Sequence, residues 1–551
     1  MITGSIFRDA LISGANNITA QKQQIDELNV FPVPDGDTGT NMSMTIGAAA
    51  RELSRLGDDC TVAQAASCAA SALLRGARGN SGVILSLIFR GISKGLADCE
   101  TATAKDLARG LMLGTESAYK AVMKPTEGTI LTVIRLTAKK AAAFAETNED
   151  FIPFWETVCK ASKDALAKTP EILPVLKKAG VVDAGGKGLT VIFDGMMSVF
   201  RDGVIISAAE EGASAPAQTQ QKESNIAEFE EEINFTYCTE FIVQRDKSVN
   251  RDPLALRAYL ESIGDCVVVV DDETIIKVHV HTDNPGKAIQ QGIKYGMLTN
   301  IKIENMREQF ENRVSAESAA PAAPEYVKVD PDTPYGFVSV CAGEGVAQLF
   351  SDLGVDKIVS GGQTMNPSTD DILAAVHSVP AKTVYVLPNN KNIIMAAEQA
   401  VPLADREVRV LHTRTIPQGL SAMLSFDCDA GADDNQKEMM KAAENVGSGQ
   451  ITFAARDSDY EGHKIKEGEL LALENGKLSF VEKDLQRAAV RLTRSLIKKN
   501  SSFITILYGE GVSENEAEAM VEALKVKIPE EIDVSLIKGD QPVYYYIISV
   551  E

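Results

Sequence analysis

Two stretches of the 551-residue chain cannot contribute to a packed core, and they constrain the fold more than any single motif. Residues 209–232 carry seven acidic side chains and one lysine, and residues 314–334 hold four prolines in an Ala/Ser-rich background. Segments of this composition are typical of linkers. The sequence therefore predicts three folded regions, at residues 1–208, 233–313 and 335–551.

The region 1–208 is predicted to be all-helical. Apolar residues recur at helical spacing in segment 104–124, and segments 61–75 and 128–145 are rich in alanine, which favours close helix packing. Strand-like alternation is nearly absent from this region. We therefore expect a helical bundle or helical barrel.

The region 233–313 is predicted to be a small α+β sandwich. Residues 235–243 alternate like a strand, and Asp-Pro at 252–253 and Asn-Pro at 284–285 are typical helix starts. Two further strands lie between these helices, and one follows the second helix. The order βαββαβ indicates a ferredoxin-like sheet in which the first and third strands are neighbours.

The region 335–551 alternates strands with helical segments, which predicts an α/β fold with a largely parallel sheet and a smaller α/β unit at the end. Polar loops at 360–368, 387–392 and 412–415 follow successive predicted strands. The carboxyl edge of such a sheet is where ligands bind. From sequence, this region is interpreted mainly as an interaction or regulatory domain.

The net charge of −22 makes a poor surface for binding nucleic acid or anionic lipid, so neither partner is expected. No apolar run approaches the length of a membrane helix, so no membrane insertion is expected. The N-terminus shows no basic segment followed by an apolar one, and the eight cysteines form no CxxC pair. We therefore expect a cytoplasmic protein with reduced thiols.

The segment Asn29-Val-Phe-Pro-Val-Pro-Asp35-Gly-Asp37-Thr38-Gly-Thr-Asn41 is the most informative stretch. Asp35 and Asp37 flank a glycine, so both carboxylates can converge on one divalent cation such as Mg²⁺. An acidic surface turn is the alternative interpretation. An EF-hand is excluded because Thr40 stands where its glycine is required.

Three other small-residue segments precede predicted helices, where backbone amides can bind phosphate. They are Gly79-Asn80-Ser81-Gly82, Asp183-Ala184-Gly185 and Glu127-Gly128-Thr129. Each alone is more often simple packing, but four such loops in one helical domain favour a phosphate site. A P-loop is not present.

These motifs together resemble the nucleotide-binding L-type domain of dihydroxyacetone kinases, and the order of regions resembles the ATP-binding subunit of bacterial fatty-acid kinase. The resemblance implies an eight-helix barrel that binds ATP and Mg²⁺ and a C-terminal domain with the DegV-like fold. It implies metal ligation by Asp35 and Asp37, with Asn29 near the position of a third ligand. It implies nucleotide contacts from the following residues: Thr38, Asn41, Asn80, Ser81, Gly82, Thr129, Asp183 and Gly185.

A zinc site is predicted in the middle region. His279 and His281 lie on one face of a predicted strand, and Cys238 lies on the strand expected beside it. One thiolate and two imidazoles match a zinc site with an open fourth position. A polar pair on an exposed sheet face is the alternative.

The resemblance implies transfer of the ATP γ-phosphate to a fatty-acid carboxylate that a DegV-like, fatty-acid-binding carrier presents. The alternatives are a dihydroxyacetone-type kinase and a nucleotide-sensing scaffold without turnover. A homodimer is left open by the sequence.

Overall fold

The computed structural model describes the following residues: 1–29, 36–122, 125–207, 235–245, 251–271, 275–305, 326–362, 365–455, 457–460 and 463–551. They separate into two compact units. One unit, 215–323, contains the middle region; the other joins residues 1–214 with residues 324–551. The two outer regions therefore form one body, and Asp35 and most of both linkers lie outside the described residues.

The N-terminal region is helical, as predicted. Up to residue 207 the described residues form ten helices: α1 Gly4–Asp26, α2 Thr38–Leu53, α3 Val62–Arg75, α4 Gly79–Gly95, α5 Ala104–Ala121, α6 Ile130–Thr147, α7 Phe151–Ala167, α8 Thr169–Ile172, α9 Pro174–Ala179 and α10 Ala184–Asp202. Threonine caps start several of them, and Thr61 with Gln64 forms a capping box at α3.

Eight long helices form a closed ring. Each of α1 to α7 packs against the next, α7 packs against α10, and α10 packs against α1. Glycines allow the closest contacts: a Cβ on Gly91 of α4 would lie 2.4 Å from the Cα of Gly114 on α5. The ring encloses the apolar core, so the predicted barrel is confirmed.

The middle unit has the predicted order βαββαβ. Its elements are β1 Tyr237–Arg245, α11 Pro253–Glu261, β2 Gly264–Asp271, β3 Ile275–Thr282, α12 Pro285–Gly292 and β4 Gly296–Asn305. The sheet order is β2-β3-β1-β4, with β1 antiparallel to both neighbours. The first and third strands are therefore adjacent, as the sequence predicted.

The C-terminal region begins with a four-stranded parallel sheet. Its strands and helices are β5 Tyr335–Cys341, α13 Glu344–Asp352, β6 Lys357–Ser360, α14 Thr369–His377, β7 Thr383–Leu387, α15 Ile394–Ala400 and β8 Glu407–Val410, and two further helices follow, α16 Ile416–Leu424 and α17 Ala432–Asn445. The strand order in the sheet is β6-β5-β7-β8.

The second C-terminal sheet differs from the prediction. The remaining elements are β9 Gly447–Phe453, β10 Ser458–Tyr460, β11 His463–Ile465, β12 Leu470–Glu474, β13 Lys477–Glu482, α18 Leu485–Leu496, β14 Phe503–Tyr508, α19 Glu514–Lys525, β15 Asp533–Lys538 and β16 Tyr546–Val550. The sheet has six strands in the order β13-β12-β9-β16-β14-β15, and β10 and β11 form a separate pair. It is mostly antiparallel, with only β14 and β15 parallel. The largely parallel fold thus holds for the first sheet alone.

The helical domain and the C-terminal domain share one continuous apolar core. Helix α15 packs against α4, and α14 contacts α3. The backbone of Thr369 donates to the carbonyl of Ala77, and Arg78 pairs with Ser368 in an isolated β-bridge. This docking brings C-terminal loops to the start of α4. Among the described residues, every helix is too short or too polar to cross a bilayer.

Candidate functional site

The start of α2 is held by a carboxylate that sequence reasoning missed. One oxygen of Asp26 accepts from the backbone N–H of Gly39 at 2.6 Å and of Thr40 at 3.2 Å, and the other accepts from the Thr40 hydroxyl at 2.8 Å. Burial raises the pKa of Asp26. Its role depends on how α1 packs against α2, so no local spacing in the sequence reveals it.

Asp37 immediately precedes α2 and receives a hydrogen bond from the other domain. The side-chain Nδ2 of Asn366 donates to Asp37 Oδ2 at 2.6 Å. Asn366 is only 1% exposed. Its backbone carbonyl accepts from the Arg78 guanidinium at 2.8 Å, which fixes the loop that carries it. Next to Asp37, the Thr38 hydroxyl donates to Asn29 Oδ1 at 2.9 Å.

The second predicted loop starts α4. Gly79 has a φ of 57°, and a Cβ there would lie 2.6 Å from Asn41 Nδ2. Glycine is therefore required for α4 to approach Asn41. Gly82 lies deeper, where a Cβ would meet the Thr45 hydroxyl oxygen at 2.3 Å. Because Gly82 has no side chain, α4 can pack closely on α2.

The third predicted loop starts α10. Asp183 is its N-cap and accepts from the Gly186 N–H at 2.7 Å. Burial raises the pKa of this carboxyl to about 6. A carboxylate at a helix N-terminus receives favourable backbone donors, but here the cost of desolvation is larger.

The fourth predicted loop, at residues 127–129, is held by hydrogen bonds within the helical domain. The Thr129 hydroxyl donates to the backbone carbonyl of Thr126 at 2.7 Å. Glu127 accepts from Arg135 at 2.6 Å and from the Thr132 hydroxyl at 2.5 Å. These partners account for the polar groups of the segment.

Most of the predicted nucleotide residues line one cleft of about 390 Å³, which we call the Asp37 cleft. Gly82 and Thr129 are not among its lining residues. Two C-terminal residues, which the sequence placed in a polar loop without assigning a role, also line it. The polar lining is Asn29, Asp37, Thr38, Asn41, Asn80, Ser81, Asp183, Lys391 and Asn392, with Gly185.

Two polar atoms of lining residues, Asn29 Nδ2 and Asn80 Oδ1, are buried without a hydrogen-bond partner among the described residues. The same holds for Oδ1 of Asn366, which contacts Asp37 from outside the lining. Such atoms are costly unless a ligand satisfies them. The two amide oxygens, with the Asp37 carboxylate, are the ligand type that Mg²⁺ prefers, and the amide N–H suits a phosphate oxygen. The residues present therefore fit a metal-bound polyphosphate.

The middle unit contains the residues of the predicted zinc site. In the backbone register of β1 and β3, Cys238 lies opposite His281 and Glu240 lies opposite His279. Paired residues in an antiparallel sheet project to the same face. The side chains of Cys238 and His279 lie outside the described atoms, so the zinc site stays a prediction.

Three family models match the chain. One described as DAK2 domain matches residues 32–198. The other two are fatty acid kinase models: the FakA-like middle domain matches residues 234–313, and the FakA-like C-terminal domain matches residues 336–551.

The chain matches relatives from Bacillus subtilis and Staphylococcus aureus over nearly their full length. The chain is 42% identical over 556 residues to Protein YloV of Bacillus subtilis (strain 168), covering 100% of this chain and 99% of the relative. It is 36% identical over 551 residues to an uncharacterised protein of Staphylococcus aureus (strain USA300), with coverage of 100% and 99%.

Two solved structures show weaker likeness. A DegV family protein, Cg2579 from Corynebacterium glutamicum, covers 40% of this chain and 96% of its own, with a TM-score of 0.32 and 14% identity. The dihydroxyacetone kinase from C. freundii in complex with AMP-PNP and Mg²⁺ covers 35% of this chain and 33% of its own, with a TM-score of 0.28 and 18% identity.

Proposed function

Because the chain belongs to the FakA-like family of fatty acid kinase proteins, we propose that it is the ATP-dependent kinase subunit of such an enzyme. In this proposal it transfers the γ-phosphate of ATP to a fatty-acid carboxylate and produces an acyl phosphate. The observation that carries the proposal is the Asp37 cleft. Three helix starts bring Asp37, Asn41, Ser81 and Asp183 to one cavity, beside unsatisfied polar atoms that suit a metal-bound polyphosphate.

Each residue of the cleft has a chemical task in this proposal. Asp37, together with Asp35 from the sequence motif, would hold Mg²⁺. Asn29, near the third ligand position that the resemblance implies, already accepts from the Thr38 hydroxyl at Oδ1, and its Nδ2, without a partner among the described residues, suits a phosphate oxygen. Asn41 and Ser81 would bind phosphate oxygens, helped by the backbone amides at the start of α4. Asn80, whose Nδ2 already donates to Asn392, would offer its Oδ1 to the metal ion. Mg²⁺, when bound, neutralises charge on the transferred phosphoryl group.

The acceptor needs no general base. A fatty-acid carboxyl group is already ionised near pH 7, since carboxyl pKa values lie around 4. The protein therefore has to orient the acceptor, exclude water and stabilise negative charge. The cleft offers amides, hydroxyls, two carboxylates that suit a metal ion and one lysine, and no described lining residue is a histidine.

We propose further that a soluble carrier presents the fatty acid. The chain's net charge of −22 opposes direct extraction of fatty acid from an anionic bilayer. A DegV-like, fatty-acid-binding protein is the partner that the sequence resemblance implies. A basic docking face on that partner would speed association in a salt-dependent manner.

The zinc site of the middle unit is a separate proposal. It is supported by the β1–β3 register, which puts Cys238, His279 and His281 on one sheet face. Elemental analysis of the purified chain should find about one zinc per chain, in line with a single three-ligand site. Unchanged zinc in a His279→Ala/His281→Ala variant contradicts the assignment.

A turnover assay with two acceptors, carrier-bound fatty acid and dihydroxyacetone, tests the function. We expect acyl phosphate, trapped with hydroxylamine, when the chain receives Mg·ATP and carrier-bound fatty acid. Phosphorylation of dihydroxyacetone instead would identify a small-ketone kinase. Nucleotide binding without turnover on any acceptor, with the carrier present, would identify a nucleotide-sensing scaffold.

A further inference from the structure

The cations around the Asp37 cleft are distributed unevenly. Among its lining residues that the structure describes, Lys391 is the only lysine or arginine, and it comes from the C-terminal domain. The helical domain contributes two carboxylates, Asp37 and Asp183. A polyphosphate in this cleft meets like charges from the helical side, so a cation beyond the metal is needed to offset them.

An arginine at the start of α4 is already committed. Arg78 donates to the carbonyl of Asn366 at 2.8 Å and lies 3.3 Å from a carboxylate oxygen of Asp371. Lys391 is exposed and forms no ion pair with any described residue. Its ammonium group is therefore available to a ligand.

The loop that carries Lys391 is held in a fixed shape. Asn389 has a φ of 53°, and its Nδ2 donates to the Ser339 hydroxyl at 2.9 Å and to the Val340 carbonyl at 3.1 Å. Asn390 Nδ2 donates to the Gly362 carbonyl at 2.9 Å. A non-glycine residue in this conformation persists only where the surroundings enforce it.

The same loop is attached to the helical domain. Asn80 Nδ2, at the start of α4, donates to Asn392 Oδ1 at 3.2 Å. Lys391 is therefore flanked by Asn390, fixed to its own domain, and Asn392, fixed to the start of α4. Preorganised contacts of this kind make a cation more effective because little reorganisation is needed when the ligand arrives.

Lys391 also lines a second, larger cavity of about 980 Å³ at the same domain boundary, which we call the junction cavity. Asn80 lines both cavities as well. The junction cavity includes Val122, Met395, Glu398 and Arg414. Lys391 therefore lies where the Asp37 cleft meets a space large enough for an acceptor.

We propose that Lys391 is a phosphate-binding residue of the Asp37 cleft, so that the C-terminal domain completes the nucleotide site that the helical domain begins. The inference rests on the proposed function, since it assumes that the cleft binds a nucleoside triphosphate. The location of Lys391 beside the junction cavity assigns it to the terminal phosphate, the one closest to the acceptor.

Calorimetric titration of the full chain with Mg·AMP-PNP and with Mg·ADP tests this. For Lys391→Met we expect about tenfold weaker binding of AMP-PNP and a loss below about threefold for ADP, as for removal of one charge-assisted contact to the terminal phosphate. Lys391→Arg keeps the charge and should restore AMP-PNP affinity. Lys499→Met, at an exposed lysine in a turn of the same domain, should bind both nucleotides like wild type.

The outcomes separate the two proposals. Equal AMP-PNP affinity for wild type and Lys391→Met overturns the role of Lys391 and leaves the proposed function standing. An equal loss for Lys391→Met and Lys391→Arg also overturns it, because a charge requirement should tolerate arginine. Failure of the wild-type chain to bind either nucleotide overturns the proposed function and this inference together.

Discussion

The two walls of the Asp37 cleft differ in chemistry and in how they are built. The wall from the helical domain consists of helix starts and carries the carboxylates, with Asp37 before α2 and Asp183 before α10. The wall from the C-terminal domain consists of loops after β-strands, where Lys391 and Asn392 line the cleft and Asn366 donates to Asp37 from outside the lining. The first wall suits a metal ion, and the second orients the first and supplies positive charge.

The difference teaches that the helical domain is incomplete as a site. Asp37 is oriented by a donor from the other domain, at a sequence separation of 329 residues. Asn80 is oriented in the same way, through Asn392. If Asp37 holds a metal ion as proposed, loss of the hydrogen bond that orients it should weaken metal binding by about 10- to 100-fold.

The largest effect is expected from removing a carboxylate from the wall of the helical domain, which we call the acidic wall. Asp37→Asn should lower kcat at least about 10³-fold, because losing a metal ligand removes several kcal/mol of transition-state stabilisation. The apparent unfolding temperature should stay within a few degrees of wild type. Asp164→Asn, at an exposed position of α7, is the matched control. Turnover near the wild-type rate at saturating Mg²⁺ would remove Asp37 from the site.

Removing an amide on the side of the C-terminal domain, which we call the amide wall, should have a smaller effect. Asn366→Ala removes the donor to Asp37 but keeps the backbone carbonyl that Arg78 binds. A half-buried carboxylate that loses one donor is destabilised by about 1–3 kcal/mol, which predicts about 10- to 100-fold weaker Mg²⁺-dependent nucleotide binding. Titration with Mg·AMP-PNP measures this, with Asn500→Ala in an exposed turn as control. Unchanged affinity would mean that Asp37 needs no help from the C-terminal domain.

Much of the helical wall could be predicted from sequence because its signals are local. Glycines and N-cap residues mark helix starts, and Asp37, Asn41, Ser81 and Asp183 all follow from them. Gly82 and Thr129 match the same patterns but serve packing and a local hydrogen bond. Sequence spacing alone does not distinguish a glycine that opens a cleft from one that admits a neighbouring helix.

The amide wall could not be predicted because it depends on how two domains dock. The loops at 360–368 and 387–392 were recognisable as polar loops at a sheet edge, but nothing local indicates that they face α4. The six-stranded sheet was missed for a different reason. Strand β9 begins Gly-Ser-Gly-Gln, which has low β-propensity, and Gly449 is needed because a Cβ there would lie 2.8 Å from Leu496 of α18.

The fit of α4 against Asn41 sharpens the comparison further. Gly79→Ala should be destabilising in two ways, through the positive φ and through the clash with Asn41. Gly180→Ala, at a φ of 67° with no atom within 4 Å of its Cβ, experiences the first effect alone. The backbone term is about 1 kcal/mol for each. We expect Gly79→Ala to weaken nucleotide binding several-fold beyond that stability loss, and Gly180→Ala to leave binding unchanged. Equal binding by the two variants would show that the position of Asn41 is unimportant.

The smallest effect concerns the folding stability that the chain loses by keeping an ionised carboxylate in the acidic wall. Burial raises the pKa of Asp183 to about 6, so the folded chain holds this proton more tightly than the unfolded chain. The stability from that proton is fully present below about pH 4 and is lost as the pH rises through 6. Asp183→Asn keeps the cap to Gly186 and removes the charge.

We therefore expect Asp183→Asn, without nucleotide, to match wild-type stability at pH 4 and to exceed it by about 1–2 kcal/mol at pH 7.5, with a discount for the partial exposure of this side chain. Urea unfolding of both proteins across this pH range measures the difference. If the variant is less stable at pH 7.5, the carboxylate is favourable where it lies, through its donors at the start of α10. If it is more stable but binds Mg·AMP-PNP more weakly, Asp183 is retained for ligand binding at the expense of stability. The ionised carboxylate of the acidic wall would then lower the stability of the ligand-free chain. The neutral amides of the opposite wall cause no such loss, because they carry no charge that has to be desolvated.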